Sequence, residues 1–390
     1  MKLSNLHPML AVVLLTTLAA PLLAISQTPV RYNIKDLGVV GASPGQPFQI
    51  TNDGIISGVV VSNGEAQATL WYMRNKLNIG AIGLGGANSL AFASNDWAQV
   101  VGEAETATPD PNHEDFCGFR ASGLSASGTC QPVLWKEGKI FALPTLGGPN
   151  GAANQINNTG HAVGTAENST PDYGCPYPQV LEFKPVVWYG GHIQKLPTVV
   201  GDPDGIAFAI NRAGQIVGGS GVCSAFTITT LTNLFPLHAL LWEKGKITDL
   251  GSLGGSGYGG GNLALNINNL GQVVGNSDLP GDQANHAFLW SKGKGMQDLG
   301  TLPGDQFSVG IGINDSGKVA GISLDANFNP RAFVWQNGVM TDLNTVIPTD
   351  SRLYLLVACS INAKGQIVGF AVDTITNEIH GYLATPKLNR

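Results

Sequence analysis

The chain has 390 residues, of which 52 are glycine, 43% are hydrophobic and only 12% are charged, with a formal net charge of −6. Glycine at about twice its usual share and charge at about half exclude a disordered polyelectrolyte and a coiled coil, and the lack of glycine at every third position excludes a collagen. An acidic balance with no basic run excludes the electrostatic footprint of a nucleic-acid binder and of a protein held by charge on an anionic membrane.

In chain order, the first element is residues 1–26, which read as a secretory signal peptide. Lys2 supplies the positive start, Met9 to Leu23 is almost wholly apolar, and Ala24-Ile25-Ser26 offers small residues before a cleavage point at Gln27. An uncleaved anchor is the competing reading, but the apolar run is shorter than the ~20 residues a spanning helix needs. No later stretch is long enough to cross, which leaves residues 27–390 as one exported domain.

The next element, Tyr32-Asn33-Ile34-Lys35-Asp36-Leu37-Gly38, is a strand with no partner nearby. After it a repeat sets in. Its clearest copy runs Ile267-Asn268-Asn269-Leu270-Gly271-Gln272-Val273-Val274-Gly275, then His286-Ala287-Phe288-Leu289-Trp290, then Asp298-Leu299-Gly300. The closing glycine of the first block recurs at Gly58, Gly102, Gly164, Gly218, Gly275, Gly321 and Gly369. The tryptophan recurs at Trp71, Trp135, Trp188, Trp242, Trp290 and Trp335, with Ala384 in the last place.

Each copy offers four short segments, here a to d, rich in β-branched and aromatic residues and bounded by Gly and Asn. These are strands rather than helices. Four strands per ~40–50 residues describe a β-propeller blade. The last copy stops after His380 to Ala384 without its d strand, and the orphan strand at Tyr32 supplies one. The expected fold is all-β: a closed seven-bladed propeller of four-stranded blades, sealed by an N-terminal outer strand pairing with the last repeat. A β-solenoid or another blade count is the alternative.

The blocks resemble the HAF repeat of predicted extracellular bacterial proteins, named for the His-Ala-Phe seen at His286-Ala287-Phe288. The likeness spans nearly the whole mature chain. It is close in the fifth copy and partial elsewhere, as in His238-Ala239-Leu240 and Arg331-Ala332-Phe333. It implies an extracellular repeat protein of undefined activity and carries no catalytic residues with it.

What breaks the repeat lies in the b–c connections of copies two to four, expected as inserted loops at about 103–131, 165–184 and 219–237. Because strands alternate in direction, these loops share one end of the propeller with the d–a loops. Loops on a rigid scaffold commonly carry binding residues. They hold Cys117, Cys130, Cys175 and Cys223, for which the expected pairing is Cys117–Cys130 and Cys175–Cys223, one of three connectivities. The odd count of cysteines leaves at least one thiol free or paired between chains, and Cys359, on an a strand, is expected as a buried small apolar residue.

Asp110, His113, Glu114 and Asp115 make the copy-two loop acidic. Asp172, Tyr173 and Tyr177 in copy three and Phe226 in copy four form an aromatic and carboxylate rim. Asp202-Pro203-Asp204-Gly205 resembles part of a calcium loop without its later acidic ligands. Asn157, Asn211, Asn268, Asn314 and Asn362 are expected only to cap the a–b turns. His238, His286 and His380 read as structural, and the tryptophans as core between blades.

The expected function is that of an exported, non-enzymatic, monomeric binding propeller without cofactor or metal. It would take a glycan or protein ligand at Asp110, His113, Asp115, Asp172, Tyr173, Tyr177, Asp202 and Phe226. The alternative is a secreted lyase or hydrolase using carboxylates and His113 as acid and base.

Overall fold

The computed structural model describes residues 30–41, 49–73, 75–80, 83–228 and 232–387, without the side chains of 224–228 and 232–236. The signal segment therefore lies outside the described residues, as does the cleavage point. No described helix is long and apolar enough to cross a membrane.

The strands form seven sheets of four, each antiparallel and in chain order. The seventh blade is the exception that closes the ring. Tyr32–Val39 lies outside Ile379–Pro386, followed inward by Ile367–Asp373 and Leu353–Ile361. The pairing runs from Tyr32 opposite Pro386 to Val39 opposite His380, as the missing d strand implied.

The marker glycines have a steric origin. In blade 5 the inner strand shifts register between Ala264 and Asn266, a bulge that drives its backbone toward the second strand. A Cβ on Gly275 would lie 1.8 Å from the Leu263 carbonyl oxygen and 3.0 Å from the ring of Phe288, its partner on the third strand. The same collision recurs at Gly102 with Leu90 and at Gly369 with Val357. The glycine and the phenylalanine of His-Ala-Phe are thus two halves of one packing requirement.

Between blades, the hydrophobic clusters draw on adjacent neighbours. Val274, Ala287, Leu299 and Leu302 of blade 5 pack against Ile313, Val319, Phe333 and Trp335 of blade 6. Full burial of side chains of this size stabilises by about 1.5–3 kcal/mol each. The tryptophans fasten the same seams: the indole N–H of Trp135 donates to Gly80 O at 2.9 Å, that of Trp188 to Pro144 O at 2.8 Å, and that of Trp242 to Pro197 O at 2.7 Å.

The turn asparagines cap their turns, as expected. Asn157 Oδ1 accepts from the amides of Thr159 and His161, both at 3.1 Å. The other end of the carboxamide does something the repeat does not announce. Asn157 Nδ2 donates to the Asn211 carbonyl of the next blade at 3.1 Å, and Asn211, Asn268 and Asn314 continue the chain. With Asn95 donating to Asn157 and Asn362 donating to Thr51, six inter-blade links encircle the axis. Thr51 holds its own turn through its hydroxyl and carries no amide to pass to Asn95.

The repeated histidines are structural in the same sense. His286 Nδ1 sits 2.9 Å from Asp298, and His380 Nδ1 sits 2.9 Å from Asp36, so the start of strand c is clasped to the end of strand d. Arg331 replaces the histidine in blade 6 and reaches Asp342 at 3.4 Å. His238 departs from the pattern and turns to Asp202 instead.

Candidate functional site

The three insertions take different forms. In blade 2, Val100–Pro109 and Gly128–Lys136 are joined by residues 110–127; in blade 3, Ala162–Pro171 and Leu181–Tyr189 are joined by 172–180. Blade 4 differs from the expected loop: its extra residues lengthen the two strands themselves, Ile216–Ile228 and Thr232–Glu243, into a long hairpin. Parts of the stretches 103–131 and 165–184 are likewise strand. The run Ile216 to Ile228 is rich in β-branched residues, which favours pairing over a loop.

The cysteines pair as expected. Cys117 bonds to Cys130 within the blade 2 loop, and Cys175 bonds to Cys223, tying the blade 3 loop to the blade 4 hairpin. Cys359 is buried and takes part in no disulfide.

Beneath the loops lies a network of buried acids. Asp110 Oδ1 accepts from the amides of Asn112 at 2.8 Å and Glu114 at 3.0 Å, while Oδ2 accepts from Asn150 Nδ2 at 2.8 Å. Glu114 crosses to blade 3, where Oε1 accepts from the amides of Val180 at 2.7 Å and Leu181 at 2.9 Å. Glu167 accepts from Gln179 Nε2 at 2.8 Å and from the Asn150 amide at 3.0 Å. Burial, reinforced by the charge of Glu114, holds the Glu167 carboxyl well above the usual carboxylate range.

Glu105 accepts from the amides of Ser127 at 2.9 Å and Gly128 at 3.1 Å and closes the neck of the blade 2 loop. Glu103, fully buried beside the Cys117–Cys130 bond, is pushed up chiefly by desolvation and then by the charge of Asp115. Sequence reading missed Glu103, Glu105 and Glu167. The signal was available: in Val101-Gly102-Glu103-Ala104-Glu105 acids continue a strand whose neighbours are core, and a buried acid needs partners supplied from elsewhere.

The predicted residues fall into separate groups. His113 is exposed, with φ of 57°, and its carbonyl accepts from Arg120 Nη2 at 2.7 Å and from the hydroxyl of Tyr177 at 3.4 Å. The loops of blades 2 and 3 therefore meet at His113 and Tyr177. Asp115 accepts from the amides of Arg120 and Ala121 and lies 3.9 Å from the Arg120 guanidinium. Tyr173 and Tyr177 stand out from the loop, 96% and 75% exposed.

Asp110 and Asp202 are buried and support the loops from beneath; Asp202 accepts from the Ser220 hydroxyl and contacts His238 Nδ1 at 2.8 Å. Asp172 lies beside Asp204. Phe226 belongs to the long hairpin, and its side chain lies outside the described residues. His113, Asp115, Asp172 and Asp202 thus take four different sets of partners.

The same end carries further exposed apolar side chains on its short loops: Val200 and Tyr258 between blades, Phe328 stacked on Phe307 at 5.1 Å, and Ile375. At the opposite end, an axial cavity of about 160 Å³ is lined by the a–b turns, among them Asn95, Asn157, Asn211 and Asn268. The carboxamides of those four residues are taken up in the turns and the inter-blade belt.

Neither a family model nor a curated protein matches the sequence. Among solved structures, the chain is similar to the β-propeller domain of the Trilobed protease from Pyrococcus furiosus, at 12% identity over 76% of this chain and 80% of that one, with a TM-score of 0.45. TolB from Acinetobacter baumannii is similar at 10% identity over 87% and 79% of the two chains, with a TM-score of 0.37. The SapL1 lectin in complex with alpha methyl fucoside is similar at 10% identity over 80% and 98%, with a TM-score of 0.32. Likenesses this distant carry no functional argument, and the propeller assignment rests on the strand pairing itself.

Proposed function

We propose that this chain is an exported binding propeller that captures a glycan or protein ligand on the end bearing the insertions of blades 2 to 4. The observation that carries this reading is the pairing of exposed Tyr173 and Tyr177 with an unusually well-anchored base. A disulfide ties their loop to blade 4, and Glu114 of blade 2 caps its return at Val180 and Leu181. Aromatic rings carried on a backbone that is anchored before the ligand arrives reduce the ordering cost of binding. Their faces suit the apolar side of a sugar ring or an aliphatic side chain, while exposed His113 supplies a polar contact alongside.

Export is part of the same proposal. It draws on the signal-like residues 1–26, on the HAF-type repeat and on two disulfides that need an oxidising compartment.

The test is an array of glycans and secreted proteins probed with residues 27–390, alongside a Tyr173→Ala/Tyr177→Ala variant. Capture by the parent chain and a loss of about tenfold or more in the variant is expected, about 1.4 kcal/mol or more. A ligand held equally well by both would move the site elsewhere. Excising the whole blade 2 loop is a poorer test, because it uncaps Val180, Leu181 and Asn150.

A further inference from the structure

Beside the Cys175–Cys223 bond, two carboxylates from different blades face each other. Asp172 comes from the blade 3 loop and Asp204 from the inner strand of blade 4, Asp204–Ile210. One oxygen of each, together with the two sulfurs, falls within 4.8 Å of the others. Each carboxylate is oriented through its other oxygen: Asp172 Oδ1 accepts from the Gly174 amide at 2.7 Å, and Asp204 Oδ1 accepts from the Phe183 amide at 2.9 Å. That leaves Asp172 Oδ2 and Asp204 Oδ2, both buried and both without a hydrogen-bond partner. Asp204 has no exposed surface at all.

We propose that Asp172 and Asp204 hold a hard divalent cation of the calcium class, which bridges the blade 3 loop to the inner strand of blade 4.

The reasoning is one of unmet charge. Two ionised carboxylate oxygens aimed at one another out of water would repel, and no cationic side chain pairs directly with either. The neighbouring ammonium, Lys184 Nζ, is engaged by the Pro203 carbonyl and by Glu182 at 2.9 Å. The sulfurs do not serve as thiolates, because they are bonded to one another. The donors that remain are carboxylate oxygens, which suit calcium or magnesium rather than a thiophilic metal. Calcium would draw its remaining ligands from water entering on the side of Asp172, the less buried residue of the pair.

The Glu103 cluster shows the contrast. It has one free carboxylate oxygen, and Asp115 beside it spends both oxygens on backbone amides. A single buried acid becomes neutral; a facing pair invites a bridge. The competing occupant of the Asp172–Asp204 gap is one shared proton, consistent with burial pushing the Asp204 carboxyl up to about 8. The site does not depend on what the outer face binds.

The experiment uses residues 27–390 with the disulfides formed. Calcium, and separately magnesium, is titrated by calorimetry, and melting is followed with calcium or chelator for the parent chain, Asp204→Asn and Asp172→Asn. One calcium per chain is expected, with a dissociation constant near the 10⁻⁴–10⁻³ M typical of extracellular modules. At about 5 mM calcium the parent should gain about 1–3 °C in melting temperature. Both variants should lose the heat of binding and the gain. A parent chain that shows neither calcium heat nor a calcium-dependent gain in melting temperature would overturn the proposal in favour of the shared proton.

Discussion

At one end of the propeller, blade after blade turns from its inner to its second strand on the same asparagine, and the same carboxamide reaches the neighbouring blade. At the other end, the connections of three adjacent blades differ in length and in form. Disulfides and buried acids hold their connections together there. The first end is built by repetition and is spent on closing the ring. The second is built from exceptions, each needing its own partner, and it alone raises aromatic side chains on anchored insertions. Periodicity marks what the fold needs, and its interruption marks where the surface has been put to other use.

That contrast can be broken experimentally. The largest effect is expected from Cys175→Ala/Cys223→Ala, which frees a loop closed over a separation of 48 residues. Chain entropy puts the loss near 4 kcal/mol, against about 3 kcal/mol for the shorter Cys117–Cys130 loop. Denaturant midpoints would show this, and a loss below about 1 kcal/mol would mean that the insertions are held by their acids alone. At the regular end, Gly275→Ala should cost about 3 kcal/mol, because the new methyl meets the Leu263 carbonyl rather than a yielding side chain.

A smaller effect separates the two ends by pH. The Asp204 carboxyl lies at about 8 in the folded chain against 3.8 for the free group, so it stays protonated where the unfolded chain has ionised. The stability it contributes is complete below the lower value and is lost as pH rises through the upper one. In chelator, the chain should lose about 2 kcal/mol between about pH 5 and pH 8, less than full linkage because water reaches half-buried Asp172. Asp204→Asn should flatten that slope; a parent profile already flat would remove the buried-acid account of this end.

Asn211→Ala should cost about 1–2 kcal/mol, combining a lost cap with a lost inter-blade bond. Smallest of all, Thr51→Asn should add about 0.5–1 kcal/mol by supplying the missing link to Asn95. A thermal shift assay resolves the sign of both.

How much of this was legible follows the same division. Blade count and closure could be read because the orphan strand at Tyr32 and the truncated copy at His380 are complementary, a fact of sequence order alone. The disulfide pairing was legible because consecutive copies are neighbours in a ring. The inter-blade role of Asn157 and its equivalents was not, since a cap uses the carboxamide oxygen and says nothing of the nitrogen. Glu103 and Glu167 escaped because acids near a loop read as solvated. Only three-dimensional neighbours such as Asn150 and Gln179 reveal that they are buried. Asp204 was seen in the wrong company, grouped with Asp202 by sequence when its counterpart is Asp172 on the adjacent blade.

The threonine at position 51 bears on how the whole ring would come apart. A hoop clasped at every joint but one behaves like a split washer, in which strain gathers at the gap. The joint between blades 1 and 2 lacks its amide. Spreading forces, thermal or mechanical, should part the circle there before the strand seam in blade 7, so that amides of blade 1 trade their protons with solvent ahead of those in blades 5 and 6.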